Sequence, residues 1–158
     1  MSEAAHLFQV RDATVQDVPL IARYNIDMAL ETDNRHLDRS TVLAGVAAVL
    51  SAPELGRYFL ATFEQEIIGQ AMVTYEWSDW RSGLFWWLQS AYVRPGARRR
   101  GAFTAIYRHI HARAKSVPGV VGVRLRVNES NTKAKQTFAR LGMTLVEHSV
   151  FEDVWSNN

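Results

Sequence analysis

The stretch that most restricts how this chain can fold is Arg98-Arg99-Arg100-Gly101-Ala102-Phe103-Thr104. It follows the apolar run over residues 86–93 and precedes a pattern that puts Phe103, Ile106, Ile110 and Ala114 on one helical face. A buried strand therefore ends in a basic, glycine-containing turn that opens straight into a helix. Backbone N–H groups at such a helix start point outward at the positive end of the dipole, a ready anion site. Arginine side chains around it neutralise phosphate and donate to it in bidentate fashion. A charge run is ordinarily a solvated turn, but placement at a helix N-terminus beside Gly101 favours a diphosphate cradle.

The rest of the composition limits what else the chain can be. Its 158 residues suit one domain, 1–158, with a substantial core. A formal net charge of +2 gives no global field for a nucleic-acid partner, so none is expected. Cysteine is absent, which removes disulfides, thiolate metal sites and a cysteine nucleophile together. His109 and His111 stand roughly 200° apart around a helix and cannot share a metal, so no metal site is expected. No run reaches the ~18 apolar residues of a membrane span. Residues 1–6 lack the basic start and apolar run of a signal peptide. The expectation is a soluble cytoplasmic protein with no membrane partner.

Along the chain, residues 8–11 alternate like a short strand, and Thr14 with Asp17 reads as a capping pair before an apolar helical face at Val18, Ile21 and Met28. Ser40 is placed to cap a second helix, with a polar loop over residues 31–36 between the two. Residues 58–63 and 67–75 form a hairpin around Glu64-Gln65-Glu66, and residues 86–93 a third strand. The basic turn and its helix come next, followed by a strand over 121–127 and a helix over 131–141 stopped by Gly142. One or two last strands are expected over 145–155. The order β-α-α-β-β-β-α-β-α-β-β describes an α/β protein with a mixed, mostly antiparallel sheet layered with helices.

This order and two motifs resemble the GNAT superfamily of acetyl-CoA-dependent N-acetyltransferases. Arg98-Arg99-Arg100-Gly101-Ala102-Phe103 is similar to that family's Gln/Arg-x-x-Gly-x-Gly/Ala cofactor signature, with Phe103 in place of a small last residue. Asn131, Ala134, Phe138, Gly142 and Met143 follow its second signature, Asn-x-x-Ala-x-x-x-Tyr-x-x-x-Gly-Phe, with substitutions. Tyr75–Trp80 together with residues 86–90 looks like a tryptophan-rich subgroup of small bacterial members. The resemblance implies the GNAT fold, with helices on both sheet faces, and acetyl-CoA as co-substrate.

It also implies cofactor-binding roles. Arg98, Arg99, Arg100, Gly101, Ala102, Phe103 and Thr104 would hold the diphosphate, largely through main-chain N–H groups that phenylalanine also has. Tyr92 and Val93 would pair with the pantetheine arm through their backbone, as if it were an added strand. Asn131 fits two roles, a helix cap and a contact along that arm. Phe138 stands where the family often has a proton-donating tyrosine and leaves the general acid unassigned.

Acetyl transfer needs a neutral amine, a donor for the developing oxyanion and a proton for the departing thiolate. Candidate bases are Glu76, which follows a central strand, and Glu31, in the expected loop between the first helices; Asp79 is a third carboxylate nearby. A strand-end glutamate is as readily a surface group as a base. Gln89 and Ser90 lie on the acetyl-bearing strand, where they could position substrate or water. The tryptophans Trp77, Trp80, Trp86 and Trp87 are expected to cluster, with one of the last pair in the core and the other lining an acceptor pocket or a homodimer contact. The leading expectation is direct transfer of acetyl to a primary amine of a small molecule or peptide. The alternative is a GNAT-fold module that holds acyl-CoA without turnover.

Overall fold

The computed structural model describes residues 7–155, so the signal-peptide expectation for residues 1–6 lies outside it. The chain divides into two compact units, residues 1–125 and 126–158. In the first, the order is β1 (Gln9–Asp12), α1 (Val18–Asp33), α2 (Arg39–Ser51), β2 (Arg57–Phe63), β3 (Glu66–Ser78), β4 (Gly83–Val93), α3 (Ala102–Ser116) and β5 (Val120–Leu125). The second holds α4 (Thr132–Arg140).

The five strands lie in the order β1-β2-β3-β4-β5. The first four pair antiparallel, and β4 pairs with β5 in parallel. Only a crossover can join two parallel neighbours, and α3 supplies it. The β2–β3 hairpin turns at Glu64 and Gln65, both at positive φ, as a type I′ turn requires for its twist to match the strands.

Alternation along β2 sends Tyr58 and Leu60 to one face and Phe59 to the other. The first face packs under α1 and α2 with Ile21, Ala22 and Val46. The opposite face meets α3, where the Phe59 ring sits edge-on to His109 at 5.5 Å. Ile21, Phe59, Leu60, Ile68, Ile106 and Ile110 are fully buried, each worth about 1.5–3 kcal/mol of transfer free energy. Helices thus cover both faces of a mostly antiparallel sheet.

Several boundaries differ from the sequence expectations. Helix α1 runs on through Asp33 because Asn34 takes the left-handed conformation (φ 49°) that ends it. Glu31 therefore sits in the last turn of α1 and not in a loop. Asp38, not Ser40, caps α2, accepting from the Thr41 N–H at 2.8 Å; Ser40 instead donates to the same carboxylate. The capping pair forms as expected, but it closes a 3-10 turn, Val15–Asp17, that leads into α1; the Thr14 N–H donates to Asp17 Oδ2 at 2.7 Å.

The last strands do not form among the described residues 143–155. Val146, Val150, Phe151 and Trp155 are exposed there. An alternating apolar pattern gives propensity only, and a strand exists when a partner takes up its hydrogen bonds.

Candidate active site

The parallel ladder between β4 and β5 ends at Leu88 and Leu125, while β4 continues to Val93 paired with β3 alone. Within residues 7–125, the outer edge of β4 over 89–93 thus has no strand partner. Arg94 donates its N–H to Ile68 O on β3, so strand alternation turns the N–H and C=O of Val93 to that outer edge.

In the same stretch β4 carries a bulge. Gln89 faces Met72 and Tyr92 faces Gln70, so Ser90 and Ala91 together oppose Ala71. Ser90 absorbs the extra residue at φ 48°. A bulge re-aims the backbone, which is why bulges recur beside active sites.

Past Val93 the chain makes a short 3-10 turn, Pro95–Ala97, and reaches Gly101 at φ 91°, the N-cap of α3. Glycine takes that conformation without steric cost. It also gives no side chain to cap the helix: α3 starts with no side-chain cap bond, and its first internal bond runs from Ala105 N to Gly101 O. The opening turn therefore lacks an internal acceptor for its N–H groups, the feature of an anion-binding helix start. A Cβ at Gly101 would meet no atom of the described residues within 4 Å. Arg99 and Arg100 are exposed beside it, Arg100 lying over the Phe63 ring at 4.4 Å.

Arg98 has other partners. Its Nε donates to Val93 O at 2.7 Å, and its two terminal nitrogens grip both oxygens of Glu31. The guanidinium also lies over the Tyr92 ring, which tilts against Tyr24 with centroids 5.1 Å apart. The end of α1 is thereby fastened to the end of β4. Hydrogen bonding from Arg98 holds the Glu31 carboxyl below its usual range.

Beneath the bulge lies a polar cluster that the sequence reading missed. Gln70 is fully buried, and its Nε2 donates to Asn25 Oδ1 at 2.7 Å and to Ser90 O at 3.4 Å. Asn25 Nδ2 donates in turn to the Tyr58 hydroxyl at 3.1 Å. Gln70 Oε1 is buried with no partner among the described residues. Burial raises the Tyr58 pKa, while hydrogen bonds from Asn25 and Ser90 partly oppose the rise. The signal was visible in the sequence as one glutamine inside the apolar run Ile67-Ile68-Gly69-Gln70-Ala71-Met72-Val73.

Glu76 is placed elsewhere. One carboxylate oxygen accepts from the Trp87 indole at 3.0 Å and the other from Arg124. Arg124 lies over the Phe85 ring at 3.7 Å. Glu76 faces Phe85 across the β3–β4 ladder, well along the strands from the bulge, so the structure does not bring Glu76 and Glu31 together. The expected tryptophan cluster is dispersed: Trp86 is buried against Tyr75, Trp87 is half-buried on the opposite face, and Trp77 and Trp80 are exposed. Gln89 donates to Thr74 Oγ1 on the Trp87 face.

In the second unit Asn131 caps α4, accepting from the Ala134 N–H at 3.1 Å. Phe138 is half-buried in the same helix, which ends through bonds from Leu141 and Met143 to the Phe138 carbonyl and Gly142 at φ 86°. Among the described residues, no helix is long and apolar enough to cross a membrane.

Comparison with known proteins bears directly on this arrangement. The profile of the acetyltransferase (GNAT) family matches residues 21–143. A possible acetyltransferase from Clostridium difficile 630 superposes with a TM-score of 0.86 at 35% identity, over 96% of this chain and 100% of that one. An integron cassette protein from the mobile metagenome of Cole Harbour Salt Marsh gives 0.82 at 23% identity, over 95% and 92%. A predicted acetyltransferase from Clostridium acetobutylicum, determined with acetyl-CoA, gives 0.72 at 14% identity, over 92% and 96%, a likeness of fold alone. No protein of curated function matches the sequence. With its bulged β4, its open strand edge and its glycine-capped α3, the chain belongs to the GNAT acetyltransferase family.

Proposed function

We propose that this chain is an acetyl-CoA-dependent N-acetyltransferase acting on a primary amine by direct transfer. The observation that carries the reading is the continuity between the unpaired outer edge of β4 and the uncapped start of α3. The Val93 N–H suits a carbonyl of a pantetheine arm, by the chemistry of strand addition, while the Val93 C=O is held by Arg98. The first turn of α3, with Arg99 and Arg100 beside it, suits a diphosphate. The open space at Gly101 leaves room for a phosphate to approach the backbone closely.

When bound, acetyl-CoA supplies an acyl thioester open to attack by a neutral amine. This chain's residues bind and orient it at the bulge, and Arg98 keeps α1 against that end of β4. Glu31, kept ionised by Arg98, suits attraction of a cationic amine better than removal of its proton. Glu76 is the other candidate for that proton, with Arg124 competing for the same carboxylate.

A second reading, an acyl-CoA-binding module without turnover, draws on one observation: both candidate bases are held in arginine ion pairs. Calorimetric titration with coenzyme A, followed by acetyl-CoA consumption against a panel of amines, separates the readings. Binding with turnover on any amine supports transfer, and binding without turnover supports the module. No binding rejects both.

A further inference from the structure

We propose that the closed end of the β3–β4 hairpin is a contact between two copies of this chain, with Trp80 of each near a two-fold axis and Asp79 facing the partner's Arg81. The proposal goes beyond the transferase reading and does not depend on it.

The hairpin end holds its shape through local bonds. Ser78 pairs with Gly83 and Trp77 with Leu84, so residues 79–82 form the turn. The Arg81 N–H donates to Ser78 Oγ at 3.3 Å, and the Trp80 N–H donates to Asp79 Oδ1 at 3.0 Å. Ser82 takes a left-handed conformation at φ 48°. Behind the turn, the Leu84 N–H donates to Gly119 O at 2.8 Å and ties the hairpin to the start of β5. A Cβ at Gly83 would lie 2.3 Å from Val121 Cγ1 and 2.7 Å from Gly119 O, so the two segments meet through a glycine. A turn braced in this way presents its side chains at small further entropic cost.

Two of those side chains are large, apolar and turned to solvent. Trp80 is 91% exposed and Trp77 62%. Taking ~250 Å² for a whole tryptophan, the pair presents roughly 300–400 Å² on each copy, a patch of the size that marks binding sites on monomers. A two-fold contact covering both pairs removes roughly 600–800 Å² from water, against the ~1,000 Å² that a specific interface must clear. Asp79, Arg81 and Ser82, also exposed, supply the remainder.

The charges select the partner. Asp79 and Arg81 flank Trp80 with opposite sign, and neither has an ion-pair partner among the described residues. Arg81 lies over the Phe85 ring at 5.4 Å, a stacking that leaves the in-plane N–H groups for a carboxylate. In an isologous contact residue i meets j while j meets i, so Asp79 of each copy meets the partner's Arg81. A nucleic acid or an acidic lipid surface gains no net attraction from a turn whose charges cancel. Tryptophan and arginine are also the residues that most often carry the energy of such contacts. The outer edge of β4 over residues 89–93 lies at the other end of the strand, so the contact leaves it open.

Sedimentation velocity of the full-length protein across the micromolar range, at low salt, tests this. The wild type is expected to dimerise. Trp80→Ala should weaken association by about 100-fold, since one substitution removes the anchor from both copies. Asp79→Lys and Arg81→Glu should each be monomeric alone, because each sets two like-charge pairs against one another. Mixed in equal amounts, these two variants should dimerise, because the reversed charge of each then meets its complement on the other.

A wild type that stays monomeric overturns the proposal, as does a dimer that survives Trp80→Ala or either charge variant alone. A mixture that remains monomeric while the wild type dimerises overturns it too. Should Asp79→Lys lose its fold with the bond to the Trp80 N–H, Trp80→Ala and Arg81→Glu still decide. Coenzyme A binding is read separately by calorimetry, and its failure would strike the transferase reading alone.

Discussion

Arg98 grips Glu31 across the space between the end of β4 and the last turn of α1, while its Nε holds the Val93 carbonyl. One side chain of the basic turn thus fastens the first helix to the strand edge. Both partners are substantially exposed, so the ion pair itself contributes only about 0–1 kcal/mol. Glu31→Gln is expected to change thermal stability within that range. Arg98→Ala removes the bond to Val93 as well, and should weaken coenzyme A binding about tenfold, a loss typical of a charge-assisted hydrogen bond. Equal affinities of Arg98→Ala and wild type by calorimetry would separate this latch from the cofactor site.

Gly101 allows stability and binding to be told apart. At φ 91°, alanine there strains the backbone and should destabilise the protein by about 1 kcal/mol. Asparagine tolerates left-handed backbone better and should cost less in melting temperature. Both put a side chain at the start of α3, where no atom of the described residues lies within 4 Å of the added Cβ. If a phosphate approaches that backbone closely, both variants should lose coenzyme A affinity, with Asn no better than Ala. Affinity that follows stability instead would mean that Gly101 serves only the turn.

Asp17 ties the start of α1 to β1 through Arg11, at 2.8 and 2.9 Å, and accepts from the Thr14 N–H. The bond from Arg11 leads in holding its pKa below the usual carboxylate value. The folded value lies below the unfolded one, so this stabilisation is fully present above the unfolded pKa of about 3.9 and fades as pH falls through the folded value. Asp17→Ala should cost about 1 kcal/mol at neutral pH through loss of the cap. Its melting temperature should also fall less steeply than wild type below about pH 4. Parallel acid limbs in the two proteins would rule this contribution out.

Much of the fold was legible because its signals are local. Thr14 with Asp17, Glu64-Gln65, Gly101 and Asn131 each act within a few residues of where they stand, and each does what its type and position imply. The end of α1 was misread because Asn34 can stop a helix as well as continue a polar stretch. The segment over 145–155 was misread because alternation reports propensity and says nothing about a partner strand.

The candidate site was legible as a strand-turn-helix junction, while its side-chain pairings were not, for a physical reason. Arg98 and Glu31 are 67 residues apart, and Arg124 and Glu76 are 48 apart. No spacing rule pairs such groups; only the sheet register and the packing of α1 do. The same holds for Asn25, Tyr58 and Gln70, whose polarity in apolar runs marks them as unusual without saying which of them meet.

Glu76 gives the last prediction. Its carboxylate takes the Trp87 indole on one oxygen and Arg124 on the other, with Arg124 over the Phe85 ring. Glutamine keeps an acceptor for the indole but gives up the ion pair, which between partly exposed partners contributes about 0–1 kcal/mol. Glu76→Gln should therefore fold and bind coenzyme A much as wild type does. If Glu76 removes the proton of the acceptor amine, turnover on a working amine should fall by about 100-fold or more, within the range of general base catalysis. Arg124→Met, which releases the carboxylate from its partner, should then retain turnover and shift its pH dependence. Near-wild-type kinetics in Glu76→Gln would assign this carboxylate to holding Arg124 and Trp87 in place, and would leave amine deprotonation to solvent.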